Sequence, residues 1–529
     1  MDADVLLSDL RRWEAYLPVL GGDARERPVT LIETHISRVF LIGEHVFKLK
    51  KPVDFGFLDF TTLELRRRAC EAEVLLNRRL AEGVYLGLVS VTRVAGGHHE
   101  LGGGGELVDY AVHMKRLPDE RRADRLLVAG AFEHRELDDV AQRLADFHAE
   151  LSAEPERRHW GSVEAVRGNV EENFAQTREA IGRYLEPEQA AELERFQKDF
   201  LRERAELFTR RMNEGRIRDG HGDLRLEHVY MLGDGVAIID CIEFNERFRF
   251  ADVCADVAFL SMDLAEHGRV DLAERLLARY ALLSNDFGLY ALVDFYQSYR
   301  AHVRAKVAGF QALSPDVDVM TRERSDAEAR RHYLLALSAA RRPLARTALI
   351  VVCGVIASGK SHVAEALAAE LALPVIVADR VRKAHAGVSA ETPLSDPSFA
   401  SNYSSEATRR VYEELREGAT TVLASGRSVI LDASFRSRSE RLAVRELAQR
   451  VGAAFVLVEC RASREVCLAR LQKRAEGRSV SDGRIEIFDD FARSFDPIEE
   501  LGPSEHVVLD TELALAENVR RVRACLPFG

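Results

Sequence analysis

The chain has 529 residues, of which 47% are hydrophobic and 30% charged, and its formal net charge is −12. That composition excludes an intrinsically disordered chain. The acidic balance argues against nucleic acid as the main partner, because no excess of basic side chains is there to displace condensed counterions. The length favours more than one domain.

The opening MDADVLLSDLRRW is acidic at its start and has no long apolar centre, so it does not read as a signal peptide. From residue 29, VTLIETHISRVFLIGEHVFKLK alternates in strand fashion, and Gly43-Glu44 marks a hairpin. LELRRRACEAEVLLNRRLAEG has helical spacing and should stop at Gly83. VYLGLVSVTRV and ELVDYAVHMKRL read as strands around the glycines at 102–105. Helical patterns dominate from about 124 to 212. RDGHGDLRLEHVY follows at 218–230, then VYML and VAIID joined by Gly-Asp-Gly, a strand pair. Helices resume over about 251–340. ARRPLART, with Pro343, reads as a linker. Beyond it β-run, glycine loop, helix and β-run alternate to the end, the rhythm of a parallel α/β sheet.

No apolar run approaches the ~20 residues that span a bilayer, so no membrane partner is expected. Seven cysteines are scattered without a CxxC, which indicates neither zinc nor a disulfide framework. The reducing cytoplasm is the expected setting. No motif fixes an oligomeric state.

The sharpest chemical signal is LIVVCGVIASGKSHVAEALAAEL, which holds Gly354-xxxx-Gly359-Lys360-Ser361 between an apolar run and an alanine-rich helix. This is the P-loop in its required context. Backbone N–H groups curl around phosphate oxygens, and the helix N-terminus adds partial positive charge. Lys360 is placed for the β- and γ-phosphates of ATP and Ser361 for Mg²⁺. VIVADRVRK ends a strand at Asp379 and then offers Arg380, Arg382 and Lys383. RSVILDASF ends another at Asp432, placed like a Walker-B carboxylate near the metal. CLARLQKRAEGRSVSDGR carries Arg470 and Arg474 on one helical face, followed by Arg478 and Asp482. Those arginines suit closure over a transferring phosphoryl group; a solvated charged helix is the competing reading. Together these stretches, over 346–529, resemble the small P-loop kinases of the gluconate-kinase, polynucleotide-kinase and zeta-toxin type. The resemblance implies a phosphorylated small molecule or hydroxyl acceptor near Asp379 and an arginine lid over 470–478.

His221-Gly222-Asp223-Leu224 resembles the catalytic loop of aminoglycoside phosphotransferases and related kinase-fold enzymes, over roughly 30–310. In that family the aspartate orients and helps deprotonate the acceptor hydroxyl, so the resemblance assigns this to Asp223. An asparagine five residues on binds Mg²⁺ there; here that place is His228. Asp240, 17 residues after Asp223, matches the later metal-binding aspartate. An imidazole is a poorer Mg²⁺ ligand than an amide oxygen. His228 therefore contacts phosphate, binds a softer metal, leaves a second metal position empty, or simply packs. VFKLKKP matches the strand whose lysine grips the nucleotide; Lys48 and Lys50 share one strand face, and the distance from the turn favours Lys48. Glu73 fits the helix carboxylate that pairs with it, with Glu71 as rival. YAVHMKRLP, centred on Met114, resembles the adenine-contacting hinge. THISRVFLI, with Ser37 at its tip, replaces a glycine-rich loop. Asp256 would brace the catalytic loop, while Asp252 and Glu243 line the acceptor cleft. A polycationic aminoglycoside would want an acidic cleft, to which Glu243, Glu246, Asp252 and Asp256 are the candidates.

The order of the two halves resembles the bacterial bifunctional aminoglycoside phosphotransferase-like/ATP-binding proteins. The expected fold is an α+β protein-kinase-like bilobal domain over 1–340 (N-lobe about 25–117, C-lobe about 118–340), followed by an α/β P-loop domain over 346–529. The expected function is ATP-dependent transfer of the γ-phosphoryl group to small-molecule hydroxyls at two nucleotide sites. The alternative is a degenerate, nucleotide-sensing N-terminal module that regulates a C-terminal P-loop kinase or ATPase.

Overall fold

The computed structural model describes residues 3–56, 58–315, 317–341, 346–392, 394, 401–475 and 483–527. Pro343, Arg478 and Asp482 lie outside them. The chain divides into two compact units, Met1–Glu172 with Leu201–Asp263, and Asn173–Phe200 with Leu264–Gly529. This division differs from the motif boundary at 340–346, since helices of the kinase-fold half fall in the second unit.

The first unit is built on an antiparallel six-stranded sheet: β1 (Val29–Glu33), β2 (Ser37–Ile42), β3 (His45–Lys50), β4 (Tyr85–Arg93), β5 (His99–Leu101) and β6 (Glu106–Lys115), in the order β1-β2-β3-β6-β4-β5. Residues of alternate parity along β2 and β3 bury Phe40, Ile42, Phe47 and Leu49 on one side. They pack with Leu6, Leu10 and Tyr16 of the N-terminal segment. The lobe starts before residue 25, because the helix Ala3–Leu10 contributes Leu6 and Leu10 to its core. The helix Leu63–Asn77 crosses the other face; Thr62 caps it by accepting from the Leu65 N–H at 3.2 Å. It stops six residues before Gly83. Further on, β7 (Ile217–Asp219) pairs with β10 (Phe250–Asp252), and β8 (Val229–Leu232) forms a hairpin with β9 (Gly235–Ile238).

The second unit contains a five-stranded, all-parallel sheet: β11 (Ala348–Cys353), β12 (Val375–Val377), β13 (Val429–Asp432), β14 (Ala454–Arg461) and β15 (His506–Asp510), in the order β12-β13-β11-β14-β15. Every residue of β11 is buried, as expected for a central strand covered on both faces. The order matters for function. The C-terminal ends of β11, β13 and β12 are neighbours, and ligands of open parallel sheets bind beyond those ends.

Candidate active sites

In the first unit, β3 presents two lysines to the helix Leu63–Asn77. Lys48 Nζ lies 2.9 Å from Glu73 Oε1 and 2.6 Å from Asp240 Oδ1. Lys50 Nζ bonds to Glu73 and to Glu243, and its side chain is fully buried. Both lysines therefore share Glu73, while only Lys48 reaches the carboxylate at the end of the β8–β9 segment. Glu71 faces outward and pairs with Arg67 at 2.6 Å. Burial opposes the charge on Asp240, but Lys48 and His228 outweigh it and hold this carboxyl far below the usual range. Asp240 has φ +65°, a left-handed backbone that turns its side chain out of the strand direction. Its carboxylate keeps 43% exposure.

Asp223 sits on a loop held from behind. Asp256 accepts the N–H groups of His221 (2.7 Å) and Gly222 (2.9 Å), as expected of a bracing carboxylate. Gly222 has φ +85°, which favours glycine, and a Cβ there would lie 3.0 Å from the Phe248 carbonyl oxygen. His221 Nε2 donates to the Ile239 carbonyl at 2.9 Å. Arg225 Nη2 lies 3.1 Å from Asp223 Oδ2. His228 joins the two loop ends: Nδ1 donates to the Asp223 carbonyl at 2.8 Å. That leaves Nε2 at 3.3 Å from Arg225 Nη2 and 3.7 Å from Asp240 Oδ2.

This brace carries a pH signature. Burial lowers the His221 pKa from 6.5 to about 4. At Asp256 burial acts upward, but His148 and His221 prevail and bring it from 3.8 to about 2. Both folded-state values lie below the unfolded ones, so both groups stabilise the fold above their unfolded pKa and lose that contribution on acidification. The expected result in denaturant titrations is a fall in stability from pH 6.5 to 4 that Asp256→Asn does not remove, and a further fall below pH 3.8 that it does.

Several expectations are corrected. Ser37 is not at a tip: it begins β2 opposite Lys50 and is buried, and the turn is Thr34–Ile36. Met114, expected to contact adenine through its backbone, lies inside β6, paired with Val46 and Tyr85; its buried side chain joins a cluster with Cys70, Val74 and Tyr230, which leaves the backbone reading untouched. Asp252 does not line a cleft; it is buried in a bidentate pair with Arg211, both bonds at 2.7 Å. Glu243 is buried against Lys50, and Glu246 faces out to Arg157 at 3.1 Å. With Asp256 committed to the loop, none of the four acids forms an open acidic wall for a polycation. Asp252→Ala takes both carboxylate bonds from a buried guanidinium, and a loss of about 3 kcal/mol in unfolding free energy is expected by urea denaturation.

In the second unit the P-loop follows β11. Gly354 has φ +139°, and a Cβ there would meet the Cys460 carbonyl oxygen at 2.5 Å. Gly359 (φ +92°) starts the helix Lys360–Leu371. Lys360 Nζ donates to the Val355 carbonyl at 2.8 Å, folded back across its own loop. In register, Val352 lies beside Asp432, and Asp432 beside Val377, so adjacent strand ends bring Lys360, Ser361, Asp432 and Asp379 around one pocket. Burial pushes the Asp432 carboxyl up to about 6, against the pull of Lys360 and a hydrogen bond with Ser361. A carboxylate beside a hydroxyl is an oxygen-donor pair that fits Mg²⁺. In the first unit the pair Asp240 and His228 offers oxygen and nitrogen. Among the described residues no three His, Cys, Asp or Glu side chains form a metal cage. Such open pairs match an ion shared with substrate phosphates.

Arg474 lines this pocket. Arg470 does not: Nη1 donates to the Ala357 carbonyl (3.2 Å) and to Thr511 Oγ1 (3.1 Å), and Nη2 to the Thr511 carbonyl (2.8 Å). It buttresses the P-loop from behind, where Thr511 Oγ1 also donates to the Ser358 carbonyl at 2.7 Å. Of the three basic residues after Asp379, Arg382 faces the pocket, Arg380 reaches the Leu282 carbonyl, and Lys383 that of Ala390. Sequence reasoning missed Thr511 and the aromatic residues Tyr403, Tyr412 and Phe491 that complete the pocket. No motif marks them; they come from separate elements.

Comparison with known proteins agrees with this division of chemistry. A model of the phosphotransferase enzyme family matches residues 58–296, and a model described as AAA domain matches residues 349–498. Uncharacterized proteins of Mycobacterium tuberculosis (strain ATCC 25618 / H37Rv) and Mycobacterium bovis (strain ATCC BAA-935 / AF2122/97) are each 34% identical over 476 residues, covering 88% of this chain and 92% of theirs. Among solved structures, a gluconokinase from Sinorhizobium meliloti 1021 is 26% identical with a TM-score of 0.25, covering 35% of this chain and 93% of its own. A choline/ethanolamine kinase family protein from Mesorhizobium loti is 12% identical with a TM-score of 0.36, covering 64% and 99%. The chain belongs, with its mycobacterial relatives, to the family of bacterial two-domain proteins that join an aminoglycoside-phosphotransferase-like kinase fold to a P-loop kinase-like ATP-binding half.

Proposed function

We propose that the chain is an ATP-dependent small-molecule kinase with two phosphotransferase sites, one in each half, with the halves taken as 1–340 and 346–529. The observation that carries this reading is the presence of two separate constellations, each with a lysine and carboxylates at neighbouring loop or strand ends. Lys48, Glu73 and Asp240 form the first, with Asp223 linked to Asp240 through His228. Lys360, Ser361, Asp432 and Asp379 form the second. The nucleotide-sensing alternative is not favoured, because the first constellation keeps the acceptor-side carboxylate that a sensor would not need.

In the first site Glu73 holds Lys48 toward the nucleotide phosphates, and Asp223 orients the acceptor hydroxyl. In the second, the P-loop backbone and Lys360 grip the phosphates, Arg474 adds charge from the opposite wall, and Asp379 faces the acceptor. Asp240 with His228, and Ser361 with Asp432, would hold Mg²⁺, which would supply charge neutralisation at the phosphates. In each transfer the acceptor oxygen bonds to the γ-phosphorus as the bridging bond to ADP breaks. The bond's electron pair leaves with ADP, and the acceptor's proton passes to the nearby carboxylate. Positioning and charge neutralisation supply most of the catalysis in such transfers.

The experiment is a single-turnover assay with γ-labelled ATP against a panel of sugars, nucleosides and aminoglycosides. Labelled acceptor above the level of an Asp223→Ala, Lys360→Ala double variant is the expected result. Labelling equal to that of the double variant across the panel removes the proposal.

A further inference from the structure

The imidazole of His228 is fixed in the way a metal-binding histidine is fixed. The residue is 6% exposed, and its ring lies alongside that of His221 with centroids 5.8 Å apart. Nδ1 bonds to the Asp223 carbonyl at 2.8 Å. A carbonyl only accepts, so Nδ1 carries the proton and the neutral ring keeps its lone pair on Nε2. A metal-ligating imidazole ordinarily has its second nitrogen tied to a carbonyl or carboxylate, because the tie sets tautomer and orientation together.

Asp240 supplies the neighbouring donor. Its Oδ1 bonds to Lys48 at 2.6 Å, while Oδ2 lies 3.7 Å from His228 Nε2. A divalent ion bonded at about 2.1 Å to each atom reaches donors that far apart. Arg225 Nη2 contacts the same nitrogen at 3.3 Å, but this guanidinium is also held by Asp223 Oδ2 at 3.1 Å and by Glu227. It stays anchored and charge-balanced when Nε2 turns to an ion.

The donor set then decides which ion. Mg²⁺ takes hard oxygen donors, whereas imidazole nitrogen suits first-row transition metals. The P-loop half presents Asp432 beside Ser361, oxygen in both cases. The first half presents one oxygen and one nitrogen.

We propose that His228 Nε2 is a metal ligand and that it makes the first site selective for a divalent transition-metal ion over Mg²⁺. Two protein donors leave the remaining positions to nucleotide phosphate oxygens and water. The proposal rests on the kinase reading of this half and assigns its two sites different ion preferences.

The test uses the full chain carrying Lys360→Ala, so that the bound ion reports on the first half, with Mn²⁺ as the probe and a non-hydrolysable ATP analogue. Pulsed electron paramagnetic resonance reads a nitrogen bonded to Mn²⁺ as a modulation of the spin echo. The expected result is a nitrogen modulation whose frequency changes when the histidines carry the heavy nitrogen isotope, a readout that needs no substitution at the site. His228→Asn exchanges the nitrogen donor for an amide oxygen; it should abolish the modulation while Mn²⁺ and the analogue stay bound. In competition titrations, His228→Asn should lower the preference for Mn²⁺ over Mg²⁺ at least about tenfold. Bound Mn²⁺ without a nitrogen modulation, a modulation that survives in His228→Asn, or an unchanged ion preference overturns the proposal. Failure of the kinase reading looks different and removes the proposal with it: the analogue and Mn²⁺ would not bind in a Lys48-dependent way.

Discussion

Asp223→Asn is expected to lower acceptor phosphorylation by the first site about a thousandfold while nucleotide affinity stays within about threefold. The substitution keeps the size and shape of the side chain and removes its charge and basicity. The Asp223 carboxylate pairs with Arg225 and its carbonyl accepts from His228, while Lys48 and Glu73, the pair placed for the nucleotide, bond to each other. The loop shape is held by Asp256 through the His221 and Gly222 N–H groups, so the backbone survives the change. Single-turnover rates and nucleotide titrations on the same preparation check both halves of the statement. A parallel fall in nucleotide affinity would mean that Asp223 belongs to the ATP subsite.

Lys360→Ala is expected to lower P-loop transfer by about a thousandfold and to weaken nucleotide binding in that half. Lys360 Nζ now donates to the Val355 carbonyl across the loop it must serve. A triphosphate offers that ammonium stronger, charged acceptors. The loop itself does not depend on the lysine, because Arg470 and Thr511 tie Ala357 and Ser358 from the other side. The variant should therefore unfold at the same denaturant midpoint as the parent. Thr511→Val offers a contrast: it should loosen the loop and change nucleotide affinity without removing any phosphate ligand.

What could be read from the sequence follows the range of each interaction. The P-loop is contiguous, so eight residues between a strand and a helix announce it. Lys48 and Lys50 could not be separated, because strand alternation places both on one face and both engage Glu73. The difference between them lies in Asp240 and Glu243, more than 190 residues away. Asp252 was misread for the same reason: its partner Arg211 precedes it by 41 residues, and an aspartate in an acidic motif does not show that its charge is already matched. Arg470 and Arg474 share a helical face in sequence, yet Thr511 captures the first and leaves the second to the pocket. Helix and strand periodicity thus gave the scaffold, while long-range ion pairs decided which charges remain available.

The central claim is that each half holds its own nucleotide, and counting bound nucleotides on the full chain tests it most directly. Equilibrium dialysis with a labelled, non-hydrolysable ATP analogue and Mg²⁺ should find two sites per chain in the parent. Lys360→Ala should leave one, Lys48→Ala should leave the other, and the double variant none. A single site per chain, or two sites that persist in both single variants, would contradict the account.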